Sequence, residues 1–348
     1  MTAALPGTKA APDRLVYIPT AAELGYTFGG RAPVATVRPG QVLEVYTEDC
    51  FRGLVRTQAE LPSQVCPLPY VNPVSGPFAI EGAEPGDTLA VHIVSVAPAR
   101  DWAVSATFPH FGALTSSPGT PTLQPPLEER VWVYEIDAEA CIARYRATRS
   151  EHTVELPLAP MIGTIGVAPE GGQVILSEIP GPHGGNLDTP EMAAGATLYL
   201  GVNVPAALFA LGDGHLRQGD GEVCGVGIEA ATTTVLIIDL IKGGAPVWPR
   251  LETDTHLMCI GGARPLEDAY RIAHADLTQW IHESTGMDLL DSYQLLSQAG
   301  TARIGNVCDA IYTVVAQIEK RFLPVSAATD PGGVHDRLAA AAQALRAG

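Results

Sequence analysis

Asp213 and His215 stand two residues apart, as do Asp220 and Glu222, in the run Gly212-Asp213-Gly214-His215-Leu216-Arg217-Gln218-Gly219-Asp220-Gly221-Glu222. Successive side chains alternate faces on an extended backbone, so each pair projects to one side. A glycine separates the members of each pair and leaves the opposite face bare. That suits either a tight turn or the close approach of another chain or a ligand. A mixed imidazole and carboxylate set fits zinc or another divalent ion, and equally fits metal-free acid–base chemistry. An EF-hand is excluded, because a calcium loop counted from Asp213 needs oxygen ligands where Arg217 and Cys224 stand. Taken alone, the run reads as a Gly-rich hairpin with solvated charges; a site needs a second cluster.

That second cluster is Gly181-Pro182-His183-Gly184-Gly185-Asn186-Leu187-Asp188. Asn186 and Asp188 are again two apart and face one way on an extended chain, while His183 reads equally as a ligand or a loop anchor. Residues 196–204 form an expected buried strand between the two clusters, so that they flank it. Two ligand-rich runs beside one strand favour a site over a loop.

The elements that must position these residues are mostly strands. The 36 glycines and 29 prolines lie between short apolar runs and punctuate them. Runs over 34–37, 42–47 and 88–96 are expected strands, the last two each preceded by a turn, Arg38-Pro39-Gly40-Gln41 and Glu84-Pro85-Gly86-Asp87. His92 falls in the third run on the face of Ala90 and Val94, a core or subunit-contact position. Trp102, Phe108, His110 and Phe111 occupy a connection that walls a pocket or covers a sheet edge. A hairpin is expected over 131–136 and 141–145, then strands over 223–228, 232–241 and 311–318. The segment 160–169 carries small residues where a strand would carry bulk, which implies that a backbone or a ligand packs closely on it. Helices are expected over 265–285, closed by Gly286, and over 288–299, closed by Gly300, the second with Leu289, Tyr293 and Leu296 on one side. The fold class is mainly β, a jelly-roll-like β-sandwich with additional α/β elements and C-terminal helices. The expected organisation is a disordered leader over 1–15, a β-sandwich lobe over 16–160, a second β-rich lobe over 161–325 and a partly helical tail over 326–348.

A chain of 348 residues with 46% apolar content can bury a core that needs no staple. Its net charge of -17, with lysine only at 9, 242 and 320, argues against nucleic acid and anionic membranes and suits a small neutral substrate or a cation. The six cysteines form no C-x-x-C pair, which points away from a disulfide framework and a thiolate zinc site. With no apolar targeting segment and no run of 18 apolar residues, the expected compartment is the cytoplasm.

Several of these motifs, in order, resemble the acetamidase/formamidase family. They are Asn72-Pro73 with Gly76-Pro77, the run Ile80-Glu81-Gly82-Ala83-Glu84-Pro85-Gly86-Asp87, residues 163–169, Gly184-Gly185-Asn186-Leu187-Asp188 and residues 212–222. The resemblance spans residues 17–318. It implies a jelly-roll-type sandwich, hydrolysis of short-chain amides to ammonia and a carboxylate, a divalent metal in some members, and a homo-oligomer. Two departures stand out: many members carry a histidine near the position of Tyr26 and another where Asn72 stands here.

Within that reaction class, other amidase designs fail on this sequence. Ser116-Ser117 has no lysine nearby for a Ser-Ser-Lys centre, Lys242 is the one central lysine for a Cys-Glu-Lys centre, and no G-x-S-x-G elbow occurs. Metal- or carboxylate-activated water remains. The expectation is that Asp188, Asp213 and His215 bind a divalent ion such as zinc and that Glu222 serves as general base and then acid. Asn186 is expected to orient the amide, and Glu81 to hold its NH2 group or share the proton work. Asp220 is expected to support the site or stay solvated. The alternatives are a non-catalytic ligand-binding jelly roll and a hydrolase for a different amide-like substrate.

Overall fold

The computed structural model describes residues 13–115, 123, 125–324 and 333–347. One sheet has nine strands, ordered edge to edge as Arg14–Tyr17, Val42–Thr47, Thr232–Gly244, Asp87–Pro98, Thr197–Gly201, Arg250–Glu252, His256–Ala263, Tyr312–Glu319 and Thr301–Ile304. Strand alternation divides its side chains between two cores. Leu89, Val91 and Ile93, with Leu236 and Ile238, join Phe78, Ile162, Ile165, Phe209 and Leu211 of a second sheet in one buried cluster. On the other face, Ala90, Val94, Ile237 and Cys259 pack with Ala273, Leu277 and Trp280 of the helix Leu266–Thr285 and with Leu338 of the helix Val334–Ala347. The chain is therefore mainly β, with C-terminal helices covering one sheet.

The second sheet runs Thr153–Pro157, Ile142–Arg146, Arg130–Asp137, Trp102–Thr107, Glu229–Ala230, Phe209–His215, Met161–Gly166 and Gly184–Asn186. Val74–Ile80 also pairs with Phe209–His215, and Ala35–Val37 with Val74–Ile80. Both sheets draw strands from either side of residue 160. The strand Thr232–Gly244 lies between Val42–Thr47 and Asp87–Pro98, so hydrogen bonds weave the stretches 16–160 and 161–325 together.

Both expected central helices form. Leu266–Thr285 ends on Gly286 in the left-handed region (φ 72°), and Leu289–Ala299 starts on Asp288, whose side chain accepts from the Leu290 amide. In the second helix Ser292 and Leu296 are buried, while Leu289 and Tyr293 are exposed, which corrects the expected apolar side. The run 223–228 is not a strand. Val223 is 49% exposed, Gly225 turns the chain at φ 93°, and the strand itself begins at Glu229, after Ile228 has bonded to Leu216 and Arg217. Trp102 opens a strand rather than a connection, and together with Phe108 it packs against the cluster around Phe51.

Of the expected leader, residues 1–12 lie outside the described residues, whereas Arg14 and Leu15 begin the first strand. Ser116, Ser117 and, of the expected tail, residues 326–332 and 348 also lie outside them. The tail helix Val334–Ala347 docks on the nine-stranded sheet through Val334, Leu338 and Ala342. Buried His335 shares Thr197 Oγ1 with His92, at 2.8 and 2.9 Å, which accounts for a histidine in the alternation of the Asp87–Pro98 strand. No helix among the described residues is long and apolar enough to cross a membrane.

Candidate active site

The two polar clusters meet across the strand Met161–Gly166, which pairs with both of their strands and sets Thr164 opposite Asn186 on one side and Gly212 on the other. The strand Thr197–Gly201, expected to lie between the clusters, belongs to the other sheet. Small residues make this close approach possible. A Cβ added at Gly163 would lie 2.4 Å from Asp213 Oδ2 and 2.8 Å from Asp188 Oδ1. The bare position faces the carboxylates themselves.

Asp213 occupies a fork in the sheet. The free edge of its strand pairs with Val74 at Gly212 but with Ala230 at Gly214 and Glu229 at His215. The chain turns through φ 57° at Asp213 to make that change of partner, and a Cβ at Gly214 would meet Thr232 Cγ2 at 2.3 Å. Asn72, Asp188 and Glu222 also adopt positive φ, at 53, 44 and 45°. Left-handed backbone is uncommon outside glycine and collects at functional sites, where the surroundings must hold it.

His215 is the hub. Its Nε2 lies 3.1 Å from Glu229 Oε1, 3.3 Å from Asp213 Oδ1 and 4.0 Å from Glu222 Oε1. Its Nδ1 lies 2.8 Å from Gln218 Oε1. Donor atoms come within metal-ligating reach of one another in three overlapping groups: Asp188, Asp213 and His215; His215, Glu222 and Glu229; and Cys50, Asp213 and Glu229. Asp188 Oδ1 and Glu229 Oε2 are buried without a hydrogen-bond partner. Such atoms are costly to bury unless a cation or a proton answers them.

Burial raises Asp188 and Glu222 far above the usual carboxylate range, aided by the charge of Asp213 on the first and of Asp188 on the second. Glu229, Asp309 and Glu178 are each pushed up to about 7, again mainly by burial. Asp213 differs: burial would raise it, but the His215 charge and the hydrogen bonds around it hold it below its ordinary value. Burial pulls His215 down, yet Glu229 and Asp213 together outweigh that and hold the imidazole well above its usual range. Without a cation, burial favours the protonated form of Asp188, Glu222, Glu229, Asp309 and Glu178. A divalent ion among them answers the same charge, so the donor set fits one.

The structure thus brings together Asp188, Asp213, His215, Glu222 and Asn186. The Asn186 side chain is fully engaged. It donates to Asp188 Oδ2 at 2.7 Å and Asp309 Oδ2 at 2.8 Å, and accepts from Asn72 Nδ2 at 2.9 Å and from Thr164 Oγ1. All four bonds an amide can make are used, so Asn186 orients carboxylates and has no bond left for a substrate. Glu81 is not brought in: it lies in an exposed turn beyond Ile80, at the far end of the strand whose start, Val74, borders Gly212. Asp220 pairs with Arg303 outside the cluster. Buried His183 packs edge-on against Phe28 and belongs to none of the three ligand groups.

Sequence reasoning missed Glu229, Asp309, Glu178 and Thr164. Only Glu229 carried a signal, as a lone acid inside the apolar run Ile228-Glu229-Ala230-Ala231. Asn72, singled out for departing from the family pattern, sits in the cluster, its Nδ2 3.4 Å from Asp213 Oδ2.

The sequence profile of the acetamidase/formamidase family matches residues 31–179 and 176–270, which include every member of the three ligand groups. The chain belongs to the acetamidase/formamidase family. It is 41% identical to the crystal structure of an acetamidase from Yersinia enterocolitica, with a TM-score of 0.84 over 91% of this chain and 94% of that one. An acetamidase from Bacillus halodurans superposes with a TM-score of 0.78 at 30% identity, covering 89% of this chain and 98% of that one. A putative formamidase of Schizosaccharomyces pombe is 29% identical over 224 residues, 51% of this chain, and the match spans about half, 53%, of that relative's length.

Proposed function

We propose that the chain hydrolyses the C–N bond of a short-chain aliphatic amide, of the formamide or acetamide kind, to a carboxylate and ammonia. The observation that carries this reading is the convergence of Asp188, Asp213, His215 and Glu222, each at most 6% exposed, in a family whose relatives are named acetamidase and formamidase. So enclosed a cluster suits a small neutral substrate.

Asp188, Asp213 and His215 are the residues we assign to a divalent ion, with zinc the first to test. Unpartnered Asp188 Oδ1, a nitrogen and carboxylate donor set, and the bare face of Gly163 support that assignment. A bound ion would supply Lewis acidity, acidifying a water and polarising a carbonyl oxygen. The chain's own residues manage protons and geometry. Glu222 takes a proton from the water as its oxygen adds to the amide carbon, then gives it to the nitrogen as the C–N bond breaks; ammonia leaves and the acid product releases its own proton to solvent. Asn186 and Thr164 hold the carboxylates in place meanwhile.

The proposal also takes in a jelly-roll-like arrangement of the two sheets, a homo-oligomer in contact through the exposed Tyr270, Leu290 and Tyr293, and a cytoplasmic setting suited to six free cysteines. Ammonia release from formamide, acetamide, propionamide and bulkier amides, compared with Asp213→Ala, tests the activity; elemental analysis before and after chelation tests the ion. Release from the small amides, lost in the variant, is expected. No release under any metal condition would leave a ligand-binding protein or a hydrolase of another amide, and full activity without stoichiometric metal would remove the ion.

A further inference from the structure

We propose that Gln218 is a positioning residue that keeps a hydrogen on His215 Nδ1, so that Nε2 is the one ring position where a metal ion enters or a proton leaves. The inference rests on the metal reading above and assigns a role to the middle of the run 212–222, between its two acidic pairs.

The orientation of the Gln218 amide is fixed by what surrounds it. Nε2 of Gln218 lies 2.8 Å from the Asp188 carbonyl oxygen and 2.9 Å from that of Gly305. Carbonyl oxygens only accept, so the atom facing both must be the NH2 group, and each of its hydrogens has a partner. The other amide atom, Oε1, then faces His215 Nδ1 at 2.8 Å. Since Oε1 also only accepts, Nδ1 must carry the hydrogen. In the neutral ring the lone pair therefore sits on Nε2, which faces Glu229, Asp213 and Glu222. A lone pair aimed at three carboxylates is unfavourable while they are ionised, and it is answered by a cation between them or by a proton on Nε2 or on a facing carboxyl.

The opposite tautomer would set the Nδ1 lone pair against Gln218 Oε1, two acceptors 2.8 Å apart. The ring has little room to turn away, because the face of Gly227 closes on it; a Cβ there would lie 2.9 Å from Nδ1 and 3.1 Å from Cγ. By holding the Asp188 carbonyl, the same amide also ties one assigned ligand to another. Ligands beyond the metal's own shell that set histidine tautomers typically change metal affinity 10- to 100-fold.

Two measurements test this. In the parent protein, ¹H–¹⁵N spectra of the histidine rings, with His215 assigned by comparison with His215→Gln, should show a hydrogen-bonded Nδ1 hydrogen both with and without zinc. In Gln218→Met that signal should be lost, and zinc affinity, read by competition with a chromophoric chelator, should fall about 10- to 100-fold; because the Asp188 and Gly305 carbonyls lose a partner too, affinity is compared at a temperature where circular dichroism shows the metal-free variant folded. A His215 hydrogen on Nε2 in the zinc-loaded parent would overturn the proposal, as would parental zinc affinity in Gln218→Met. If the parent binds no zinc, the metal reading fails by itself, and the Nδ1 signal of the metal-free parent, kept or lost on substitution, still decides the role of Gln218.

Discussion

Replacing Gly163 by alanine probes the candidate site without removing any polar group. The strand Met161–Gly166 is buried throughout, and Gly163 is not among the glycines with positive φ, so its backbone accepts an L side chain. The added methyl is a problem of space. Its carbon would stand 2.4 Å from Asp213 Oδ2, whereas ordinary contact begins at 3.4 Å, so that oxygen must retreat by 3.4 − 2.4 = 1.0 Å. The Asp213 carbonyl oxygen, at 3.0 Å, is held by the sheet and gives less readily. Overpacking costs about 1–3 kcal/mol, and stiffening the unfolded chain by Gly→Ala returns about 0.4–1 kcal/mol, so the net loss is roughly 1–2 kcal/mol and the protein still folds. The site suffers far more. Metal ligands tolerate displacements of only about 0.2 Å, and a reacting group misplaced by about 1 Å costs on the order of 100-fold in rate. Ammonia release and zinc content should therefore collapse in Gly163→Ala while the circular dichroism spectrum stays parental and the melting temperature drops by only a few degrees. A folded variant with rate and zinc content within threefold of the parent would refute the placement of these carboxylates at the reacting centre.

Other perturbations separate the roles. Glu222→Gln keeps the shape of the side chain and removes its proton transfer, so kcat/KM for acetamide should fall about 10²- to 10⁴-fold with zinc content unchanged; equal loss of zinc would make Glu222 a ligand instead. Asp220→Asn and Glu81→Gln lie outside the cluster and should each keep activity within threefold, as steady-state assays would show. Removal of metal should reverse the usual effect of pH on stability. In Glu229, with a folded pKa of about 7 against an ordinary 4.5, the folded state holds the proton longer, so its contribution is complete below about pH 4.5 and is lost as pH rises through 7. Between pH 5.5 and 8 that loss is about 2 kcal/mol for Glu229, and Asp309 and Glu178 act in the same direction. Urea melts of chelated protein at pH 5.5 and 8 should show it, and zinc should restore stability at pH 8; a chelated protein that is more stable at pH 8 would contradict the raised carboxylates.

How far the sequence discloses this structure depends on the range of each signal. Helix ends are local, and Gly286 and Asp288 mark them correctly. The Asp213 and His215 pairing is also local, the two lying two apart on one strand, although the left-handed turn at Asp213 (φ 57°) departs from plain alternation. Range is what defeats Glu229 and Asp309. They reach the site from segments whose neighbours in sequence carry no ligand pattern, and only strand pairing, His215 opposite Glu229, brings the first of them in. Glu81 fails for the converse reason. It sits in a conspicuous motif, but the strand before it carries it away from Val74, where the site begins. The small residues over 160–169 spoke for a close approach without naming the visitor, which proved to be two carboxylates.

The position of the strand Thr232–Gly244 also bears on how the chain is made. Val42–Thr47 and Asp87–Pro98 emerge from the ribosome early, and each waits with a bare, apolar edge for a partner synthesised well over a hundred residues later. Until it arrives, the half-made protein displays the kind of unpaired strand that neighbouring nascent chains adhere to. A slow translation rate or a shortage of chaperones should therefore be felt in this interval, before Thr232 emerges, and residues that have no part in catalysis would set the yield of active protein.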